Sequence, residues 1–537
     1  MTRTEQASTA RTERAAFIGA ASMVVGAFVL SQVLGLVRTA LLGSTFGASA
    51  ELDAFNAASR VTETLYLLIA GGALGSAFIP TFTSYLARGE RQMAWRVGSA
   101  VTNLVFLVTL VASIVTALIA PWLVSTVLAP GFSPGTQQLA VVLLRWMVAS
   151  TVIFGVSGLL MGVLNANGHF LLPALAPSMY NLGIIGGVAL CTRFWGIHSA
   201  AIGTLAGALL HLLTQLPALR KLDWAYSPTL GLYLHGVRQV GRLMGPRVLG
   251  MAITQLNFWV NTNLGSHIPA EGVVSALTFG WMLMLLPQRI FAQAIATVLF
   301  PSFSAQAARQ ERGALRTTLF SALQVIFYVT FPATIGLILL RKQVVEMLLM
   351  RGEFGSRDVA MAASALAWYA VGLVAHSELE IVTRAFYALH DTVTPVWVGG
   401  GAMALNVGLS LALRWLFERI GMRWPGYQPW LPLGGLALAN SLATILETWI
   451  LSWLMRRRLG AGSIRPLLAS AWRAMASSIA MGAVLLAFLR LIPTRNAWIA
   501  GGGGILLGVG VFLLISFLLR SPEVEQAWSA VRRRWSR

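Results

Sequence analysis

Long apolar runs separated by short polar segments account for almost the whole chain. A run of about 18 or more apolar residues is long enough to cross a bilayer as a helix. The runs lie at roughly 15–37, 54–86, 97–128, 137–165, 170–192, 197–218, 238–265, 272–303, 315–345, 358–388, 392–417, 432–455, 467–492 and 498–520. The pattern therefore predicts an all-α polytopic membrane protein with about 14 transmembrane helices.

The second run contains a polar stripe. Wound as a helix, it places Asp53, Asn56, Arg60 and Glu63 at i, i+3, i+7 and i+10, so the four side chains share one face. Ionised groups inside a bilayer cost about 2.5–3.5 kcal/mol each on insertion scales. We therefore expect the stripe to face protein or water and to bind substrate. The alternative is that Arg60 and Glu63 neutralise each other as i, i+3 partners.

Single polar residues also interrupt the fourth, seventh and eighth predicted helices. They are Arg145, then Arg247 and Asn257, then Arg289. A lone charge in a membrane helix is costly, so we predict that these side chains also contact substrate. Two alternatives stay open on the seventh helix: Arg247 snorkels to the interface, and Asn257 hydrogen-bonds between helices.

The tenth predicted helix carries His376, Glu380 and Arg384 on one face. The spacing of Glu380 and Arg384 is the favourable i, i+4 order for an ion pair. Two interpretations remain open for this face: a structural ion pair, or a group that takes part in ion coupling, with His376 as a proton relay.

An internal repeat divides the chain. The segment GALGSAFIPTFTSYLARGER at 72–91 recurs 221 residues later as QAIATVLFPSFSAQAARQER at 293–312. Six predicted helices separate the copies, an even number, so both copies have the same topology. Repeats of this kind in transporters enclose a site near the membrane midplane. At the same offset, the polar stripe of the second helix falls opposite Val274, Leu277, Trp281 and Met284, which predicts one ionic and one apolar wall.

The repeat predicts a domain organisation. It consists of an N-terminal arm at 1–14, an N-lobe of helices 1–6 at 15–232, a C-lobe of helices 7–12 at 233–460, two further helices at 461–520, and a basic tail at 521–537. The expected architecture is two pseudo-symmetric six-helix lobes around a central cavity, plus two C-terminal helices.

Charge predicts the orientation in the membrane. The formal net charge is +20, with 39 Lys+Arg against 19 Asp+Glu. These charges are scattered over short loops rather than clustered on a soluble face, which argues against nucleic-acid binding. Most of the basic loops fall on one side, so we expect both termini to be cytoplasmic.

Composition and motifs exclude several kinds of chemistry. The chain is 56% hydrophobic and 11% charged, and it has one cysteine, so an internal disulfide and a cysteine-based metal site are excluded. No phosphate-binding Gly-x-x-x-x-Gly-Lys loop or catalytic constellation is present, so we predict no enzymatic activity, no metal site and no cofactor. Transport would then be driven by an H⁺ or Na⁺ gradient, the membrane potential or substrate disequilibrium.

Five motifs resemble one family. They are GLVRTALLGSTFGASAELDAF at 35–55, GALGSAFIPTF at 72–82, APGF at 129–132, GVLNANGHFLLPALAPSMYN at 162–181 and RAFYALHDTVTPV at 384–396. In sequence, order and spacing they are similar to the MurJ (MviN) lipid II flippases of the MOP exporter superfamily. The resemblance implies fourteen helices, two lobes around a cationic cavity, alternating access, and a groove between the last two helices for a polyprenyl tail.

Only some of the family's charged residues are present in this sequence. Arg38 and Asp53 match family positions, which implies that Arg38 binds the substrate headgroup. Other family charges are replaced here by Gln32, Leu67, Trp281, Met282 and Leu285. The sequence therefore leaves the lipid-linked sugar open, together with the coupling ion and the oligomeric state.

Three hypotheses follow. The first is a flippase in the bacterial cytoplasmic membrane that moves a polyprenyl-diphosphate-linked saccharide, lipid II by family resemblance, to the outer leaflet. The second is a cation-coupled exporter of small amphiphiles. The third is a degenerate flippase that acts as a membrane scaffold for cell-wall synthesis enzymes. The expected partners are the lipid-linked substrate and membrane lipids, and the expected state is a monomer.

Overall fold

The computed structural model describes the backbone of residues 3–71, 77–222, 224–423, 427–460, 462–491 and 496–524. The side chains of these residues are described except at 3–22, 70, 71, 246, 247, 249, 250, 253 and 254. The α-helices in the first half are α1 (Arg3–Phe46), α2 (Ala50–Tyr66), α3 (Ile79–Ala87), α4 (Arg91–Trp122), α5 (Pro134–Ala166), α6 (Leu171–Trp195), α7 (His198–Leu213), α8 (Leu216–Leu219) and α9 (His235–Ser266).

The second half continues with ten more α-helices. They are α10 (Val273–Pro287), α11 (Ala294–Ala308), α12 (Arg312–Leu339), α13 (Arg341–Leu349), α14 (Ser356–Ala370), α15 (Leu373–Ala388), α16 (Val393–Gly421), α17 (Leu433–Leu459), α18 (Arg465–Leu491) and α19 (Gly504–Leu518). Four π-helical segments, at Leu67–Gly71, Leu123–Leu128, Gln288–Gln293 and Trp498–Gly503, and a 3₁₀ turn at Arg220–Leu222 complete the described secondary structure. The described part of the chain contains no strand, which confirms the predicted all-α fold.

Eleven helices in the described ranges are long and apolar enough to cross a membrane, and α14 with α15, bent by 49°, makes a twelfth. The two predicted spans missing from this set are those at 54–86 and 238–265. In the first, α2 ends at Tyr66 and residues 72–76 lie outside the described ranges, whereas the second carries the polar residues of α9, which lower its hydropathy. The chain is therefore a multi-pass membrane protein, and the count of fourteen stays a prediction.

The chain divides into two compact units, Met1–Asn263 and Leu264–Arg537. In the first unit, α5 packs against α2, α4 and α7, while α6 packs against α1 and α7. A Cβ added to Gly183 would lie 2.2 Å from the Gly207 Cα, so only glycine permits the close approach of α6 and α7. The core of this unit centres on Phe78, Phe82 and Leu159.

In the second unit, α17 packs against α14, α15 and α16, and α12 packs against α15 and α18. The core includes Phe303, Phe386 and Leu451. The two additional C-terminal helices pack against each other, and both contact α12. The predicted lobe boundaries at 232/233 and 460/461 rest on the repeat and stay a prediction. Of the predicted arm at 1–14, the backbone from Arg3 is helical, and of the tail only 521–524 is described.

The repeat is visible in the local geometry. The turn after α3 has Gly89 at φ 78°, with N–H bonds from Gly89 to the Leu86 carbonyl and from Glu90 to the Tyr85 carbonyl. After α11, 221 residues later, Gln310 has φ 57°, and the N–H groups of Gln310 and Glu311 bond to the carbonyls of Ala307 and Gln306. Both are Schellman C-caps, in which a left-handed residue closes the helix.

The same correspondence holds at other points of the repeat. The π-helical segment Leu67–Gly71 lies 221 residues before the segment Gln288–Gln293. Phe82 and Phe303 are both fully buried, each in the core of its own unit. A second pair of Schellman caps ends α5 at Gly168 and α15 at His390. Helix ends and core positions therefore correspond between the two copies of the repeat.

Candidate functional site

Arg60 is the central residue of the polar stripe on α2. Its Nη1 donates to the Glu63 Oε2 at 3.3 Å, and its guanidinium lies 4.8 Å from the centre of the Phe258 ring on α9. One helical turn later, the Trp259 Nε1 donates to the Thr64 Oγ1 at 2.8 Å. Arg60 is thus held by an acidic neighbour and an aromatic face, which leaves most of its five N–H donors for other partners.

The stripe is not uniformly accessible. Asp53 is 3% exposed in the first turn of α2, where the positive end of the helix dipole stabilises a carboxylate. The Glu63 side chain is 54% exposed. Asn56 is partly buried, and both Asp53 and Asn56 make interactions within the protein. The accessible part of the stripe is therefore the Arg60–Glu63 end.

Arg38 on α1 lies close to the same end of the stripe. Its guanidinium is 5.8 Å from the centre of the Tyr180 ring on α6, and its buried Nε has no hydrogen-bond partner among the described residues. The charges of Arg38 and Glu63 both act on the Tyr180 hydroxyl, so α1, α2 and α6 bring these groups together. An arginine N–H donor without a described partner is suited to bind an anion.

Arg145 has a different environment. Its Nε donates to the Ala117 carbonyl on α4 at 3.0 Å. The normal helical partner of that carbonyl is the N–H of residue 121, which is proline and has none. Arg145 therefore supplies the hydrogen bond that Pro121 removes. Contact between Arg145 and the substrate stays a prediction.

On α9, the Arg247 side chain lies outside the described residues. Asn257 is partly buried and makes interactions within the protein. Nearby, the Asn263 Nδ2 donates to the Val127 carbonyl at 2.7 Å, whereas the buried Asn261 Oδ1 has no hydrogen-bond partner in the described part of the chain. At least one asparagine near the end of α9 is therefore used in a hydrogen bond to another segment rather than left for substrate.

In the second unit, Glu380 and Arg384 form the predicted ion pair. The Arg384 Nη2 donates to the Glu380 Oε1 at 2.6 Å, and its Nη1 donates to the Thr297 Oγ1 on α11 at 3.0 Å. Arg384 therefore joins α15 to α11 as well as neutralising Glu380. Arg289, in the π-helical segment Gln288–Gln293, is exposed and makes a further interaction.

His376 bonds to a different helix. Its Nε2 lies 3.2 Å from the Asn440 Oδ1 on α17, and its ring meets the Trp281 ring edge to face at 5.2 Å. Glu378, on the opposite side of α15, accepts a hydrogen bond from the Ser452 Oγ at 2.7 Å. The face predicted from spacing therefore separates into an ion pair and a histidine packed on tryptophan.

The apolar counterpart of the stripe is enclosed by its own unit. Val274, Leu277 and Met284 are at most 6% exposed, and Trp281 packs against Tyr369 at 5.2 Å. A Cβ on Gly280 would lie 2.6 Å from the Ala365 Cβ, so α10 and α14 are in close contact. This face of α10 carries no charged residue, and the neighbouring helices cover it.

Sequence reasoning missed two polar clusters. Ser157, His211 and Gln215 form a buried network in the first unit, with the Ser157 Oγ 2.6 Å from the His211 Nδ1 and the Gln215 Nε2 donating to Ser157 at 2.8 Å. Ser157 lies on α5, whereas His211 lies on α7 and Gln215 follows it, so polar spacing along one helix gave no signal.

The second missed cluster surrounds Asp391, between α15 and α16. Its Oδ1 accepts the N–H groups of Val393 and Thr394, and its Oδ2 accepts the Thr394 hydroxyl and pairs with Arg458. Burial alone would raise the pKa of the Asp391 carboxyl, but the hydrogen bonds from Thr394 and the charge of Arg458 outweigh it and hold the pKa below its usual value. The Asp-Thr-Val-Thr spacing is an N-capping signal that was available in the sequence.

The chain matches known proteins over most of its length. The family described as "Lipid II flippase MurJ" matches residues 42–501. A "Probable lipid II flippase MurJ" of Vibrio cholerae is 29% identical over 532 residues, covering 93% of this chain and 95% of the relative. A "Lipid II flippase MurJ" of Burkholderia cenocepacia is 30% identical, covering 76% of this chain and 84% of the relative.

Solved structures agree with this likeness. A lipid II flippase MurJ in its inward closed conformation superposes with a TM-score of 0.76 at 26% identity, covering 92% of this chain and 98% of that one. An inward-facing multidrug resistance MATE family transporter of the MOP superfamily superposes with a TM-score of 0.65 at 18% identity, covering 80% and 94%. The second likeness shows a shared fold alone.

Proposed function

Because this chain belongs to the lipid II flippase MurJ family, we propose that it moves lipid II, a polyprenyl-diphosphate-linked saccharide, from the inner to the outer leaflet by alternating access. The observation that carries the proposal is that Arg38 on α1 and Arg60 on α2, both in the first unit, each lie over an aromatic ring. Guanidinium groups bind phosphate oxygens through charge-assisted, often bidentate, hydrogen bonds.

The two arginines have complementary roles in this proposal. The Arg38 Nε, buried and without a described partner, is ready to donate to a phosphate oxygen. Arg60 keeps one N–H on Glu63 and presents the others. Glu63 orients Arg60 in the empty state and, as a neighbouring negative charge, limits how strongly the diphosphate is held. A substrate that must be released needs binding of this moderate strength.

Transport requires no covalent change in the substrate, so we infer that the protein is not an enzyme. The driving force is an H⁺ or Na⁺ gradient or the membrane potential, acting without a bound cofactor. The protein resides in the bacterial cytoplasmic membrane with both termini on the cytoplasmic side and acts as a monomer alongside cell-wall synthesis enzymes. The positive charge of the short loops supports this orientation.

The test is to replace Arg38 and Arg60 by alanine, singly and together, in a strain that depends on this protein for flipping. Each charge-assisted bond contributes about 1.5–3 kcal/mol, so each loss should weaken headgroup binding roughly tenfold or more. Precursor should accumulate on the inner leaflet, measured by its protection from a membrane-impermeant reagent applied to spheroplasts.

The matched control is Arg419→Ala, since Arg419 also lies over an aromatic ring, 5.1 Å from the centre of Trp415, but on α16. It should leave the leaflet distribution unchanged. Normal distribution in the Arg38→Ala, Arg60→Ala double variant would overturn the proposal and favour export of small amphiphiles or a scaffold role.

A further inference from the structure

Glu447 on α17 is a carboxylic acid without a described partner. Helices α15 and α17 contain three carboxylic acids, and the other two are bonded: Glu380 pairs with Arg384, and Glu378 accepts a hydrogen bond from Ser452. Glu447 makes no hydrogen bond or ion pair to any residue that the structure describes. Its charge, if present, would therefore not be balanced by those residues.

Glu447 lies deep in a helix that is long and apolar enough to cross a membrane. The basic end of α17 begins at Arg456, more than two helical turns further along. At a rise of 1.5 Å per residue, Glu447 is about 13 Å from this arginine along the helix axis, roughly halfway through a hydrocarbon core of about 30 Å. The short side chain of Glu447 therefore cannot reach the headgroup region.

The carboxyl group of Glu447 occupies a gap between α16 and α17. A Cβ added to Gly399 on α16 would lie 3.1 Å from the Glu447 Oε1, so the carboxyl takes up the space that a side chain at residue 399 would need. Close to Glu447 along α17, Leu446 and Trp449 are exposed. The carboxyl is thus partly buried in a seam between two helices, and exposed apolar side chains border that seam.

The helices packed against α17 bring no positive charge to Glu447. Helix α10 and the part of α16 around Gly399, residues 395–403, contain no titratable side chain. The titratable groups of the other packed helices that lie toward α17 have partners of their own. They are Glu378 on α15, bonded to Ser452; His376 on α15, bonded to Asn440; Tyr369 on α14, packed against Trp281; and Arg316 on α12, bonded to the Gly460 carbonyl.

These surroundings select the ligand of the carboxyl group. An unpaired carboxylate in the hydrocarbon core is costly, so a positive ligand has to neutralise it. Calcium and magnesium ions take six or more oxygen ligands. The described residues contain no group of three or more His, Cys, Asp or Glu that could hold a metal ion. A proton needs one oxygen atom and no second residue.

We propose that Glu447 is a proton-binding site in the seam between α16 and α17, where the bound proton neutralises the carboxyl group inside the membrane. The site is separate from the Glu380–Arg384 pair, whose charges already balance each other. Because no described contact of Glu447 has to break when the proton leaves, occupancy of the site follows the pH. The proposal is independent of which substrate the protein moves.

The test labels the full-length protein in lipid nanodiscs with dicyclohexylcarbodiimide, an apolar reagent that reacts with protonated carboxyl groups in apolar surroundings. The carboxyl O–H adds across one C=N bond of the reagent and no group leaves, so the labelled peptide gains the whole mass of the reagent. Mass spectrometry should find this adduct on Glu447. Above the midpoint of the titration, the labelling rate should fall about tenfold per pH unit. A charged, water-soluble carbodiimide should label Glu447 at least about tenfold more slowly, because a charged reagent enters hydrocarbon poorly.

Matched variants separate the site from general reactivity. Glu447→Gln should lose the adduct, whereas Glu346→Gln, which removes a carboxylate paired with Lys342 on α13, should keep it. Gly399→Ala should slow labelling severalfold, because its Cβ takes space beside the Glu447 Oε1. Gly400→Ala is the control for that change, since a Cβ there would meet no atom within 4 Å, and it should label like wild type.

Infrared spectroscopy of the same samples gives a second readout that needs no reagent. At neutral pH the absorption of protonated carboxyl groups should be weaker in Glu447→Gln than in wild type. The proposal stands if this difference is seen even where the reagent fails to reach Glu447. It is wrong if the two spectra have equal absorption in this band, if the labelling rate of Glu447 is independent of pH, or if the charged reagent labels Glu447 as fast as the apolar one.

Discussion

Arg145 shows how one side chain compensates for a proline in a membrane helix. Pro121 leaves the Ala117 carbonyl without its helical N–H, and in lipid an unsatisfied backbone group costs several kcal/mol. The Arg145 Nε satisfies that carbonyl from the neighbouring helix. A lone arginine in an apolar run therefore has a structural explanation here, one that the pattern of a single helix did not reveal.

The structural role of Arg145 predicts a coupling between two positions. Arg145→Ala should destabilise the protein by about 1–3 kcal/mol, because the Ala117 carbonyl loses its donor. In a Pro121→Ala background the backbone N–H returns, so the same substitution should cost markedly less. A double-mutant cycle on denaturant unfolding measures the difference. Equal costs in both backgrounds would show that the bond to Ala117 is not what stabilises Arg145.

Asp391 predicts a pH dependence. Its pKa is lowered in the folded protein, so its contribution is present above the unfolded pKa and is lost as pH falls through the folded pKa. Asp391→Asn should lose about 1 kcal/mol at neutral pH, a modest value because Arg458 is 42% exposed. The stability difference between wild type and variant should shrink below about pH 4. A difference independent of pH would contradict this assignment.

The helix ends of the two halves have the same backbone geometry but different residues at the left-handed position. Each half uses Schellman caps at corresponding positions, but the left-handed residue is Gly89 or Gly168 in the first half and Gln310 or His390 in the second. A residue with a Cβ is less stable than glycine in that conformation. The second half therefore retains strain that the first half lacks.

That asymmetry gives a prediction with a built-in control. Gln310→Gly should raise the free energy of unfolding by roughly 0.5–1 kcal/mol, since glycine adopts positive φ without steric cost. Gly89→Gln, which makes the reverse exchange at the corresponding turn, should lower it by a similar amount. Thermal unfolding of the two variants compares them directly. A loss of stability in Gln310→Gly would mean that the glutamine side chain stabilises the turn through its own contacts.

The sequence predicted those parts of the molecule that depend on local pattern or bilayer thickness. Apolar runs located the helices, the repeat located Phe82 and Phe303, and the i, i+4 spacing located the Glu380–Arg384 pair. It did not predict contacts made between distant segments. The pairing of Asp391 with Arg458, of Ser157 with His211, and of Arg145 with Ala117 depends on which helices become neighbours, and polar periodicity along one helix contains no such information.

The orientation of the whole protein can be tested through its cysteine content. Cys191 is the only cysteine, so Cys191→Ser gives a cysteine-free background. With cytoplasmic termini, a cysteine introduced at Ser133, before α5, should react with a membrane-impermeant maleimide in intact cells. A cysteine at Ser463, after the basic end of α17, should react only after the membrane is permeabilised. The opposite labelling pattern would reverse the assigned topology.

The π-helical segment Gln288–Gln293 has a consequence for motion. A π turn holds one residue more than an α turn, so everything after it is rotated by about 100° relative to a continuous α-helix. The surplus residue can migrate along a helix by exchanging hydrogen bonds one at a time, without breaking the chain's helicity. Each residue that it passes turns to a new face. Arg289, which lies within the segment, would be redirected by a shift of a single step, so this helix can change which side chains it presents while its ends stay fixed.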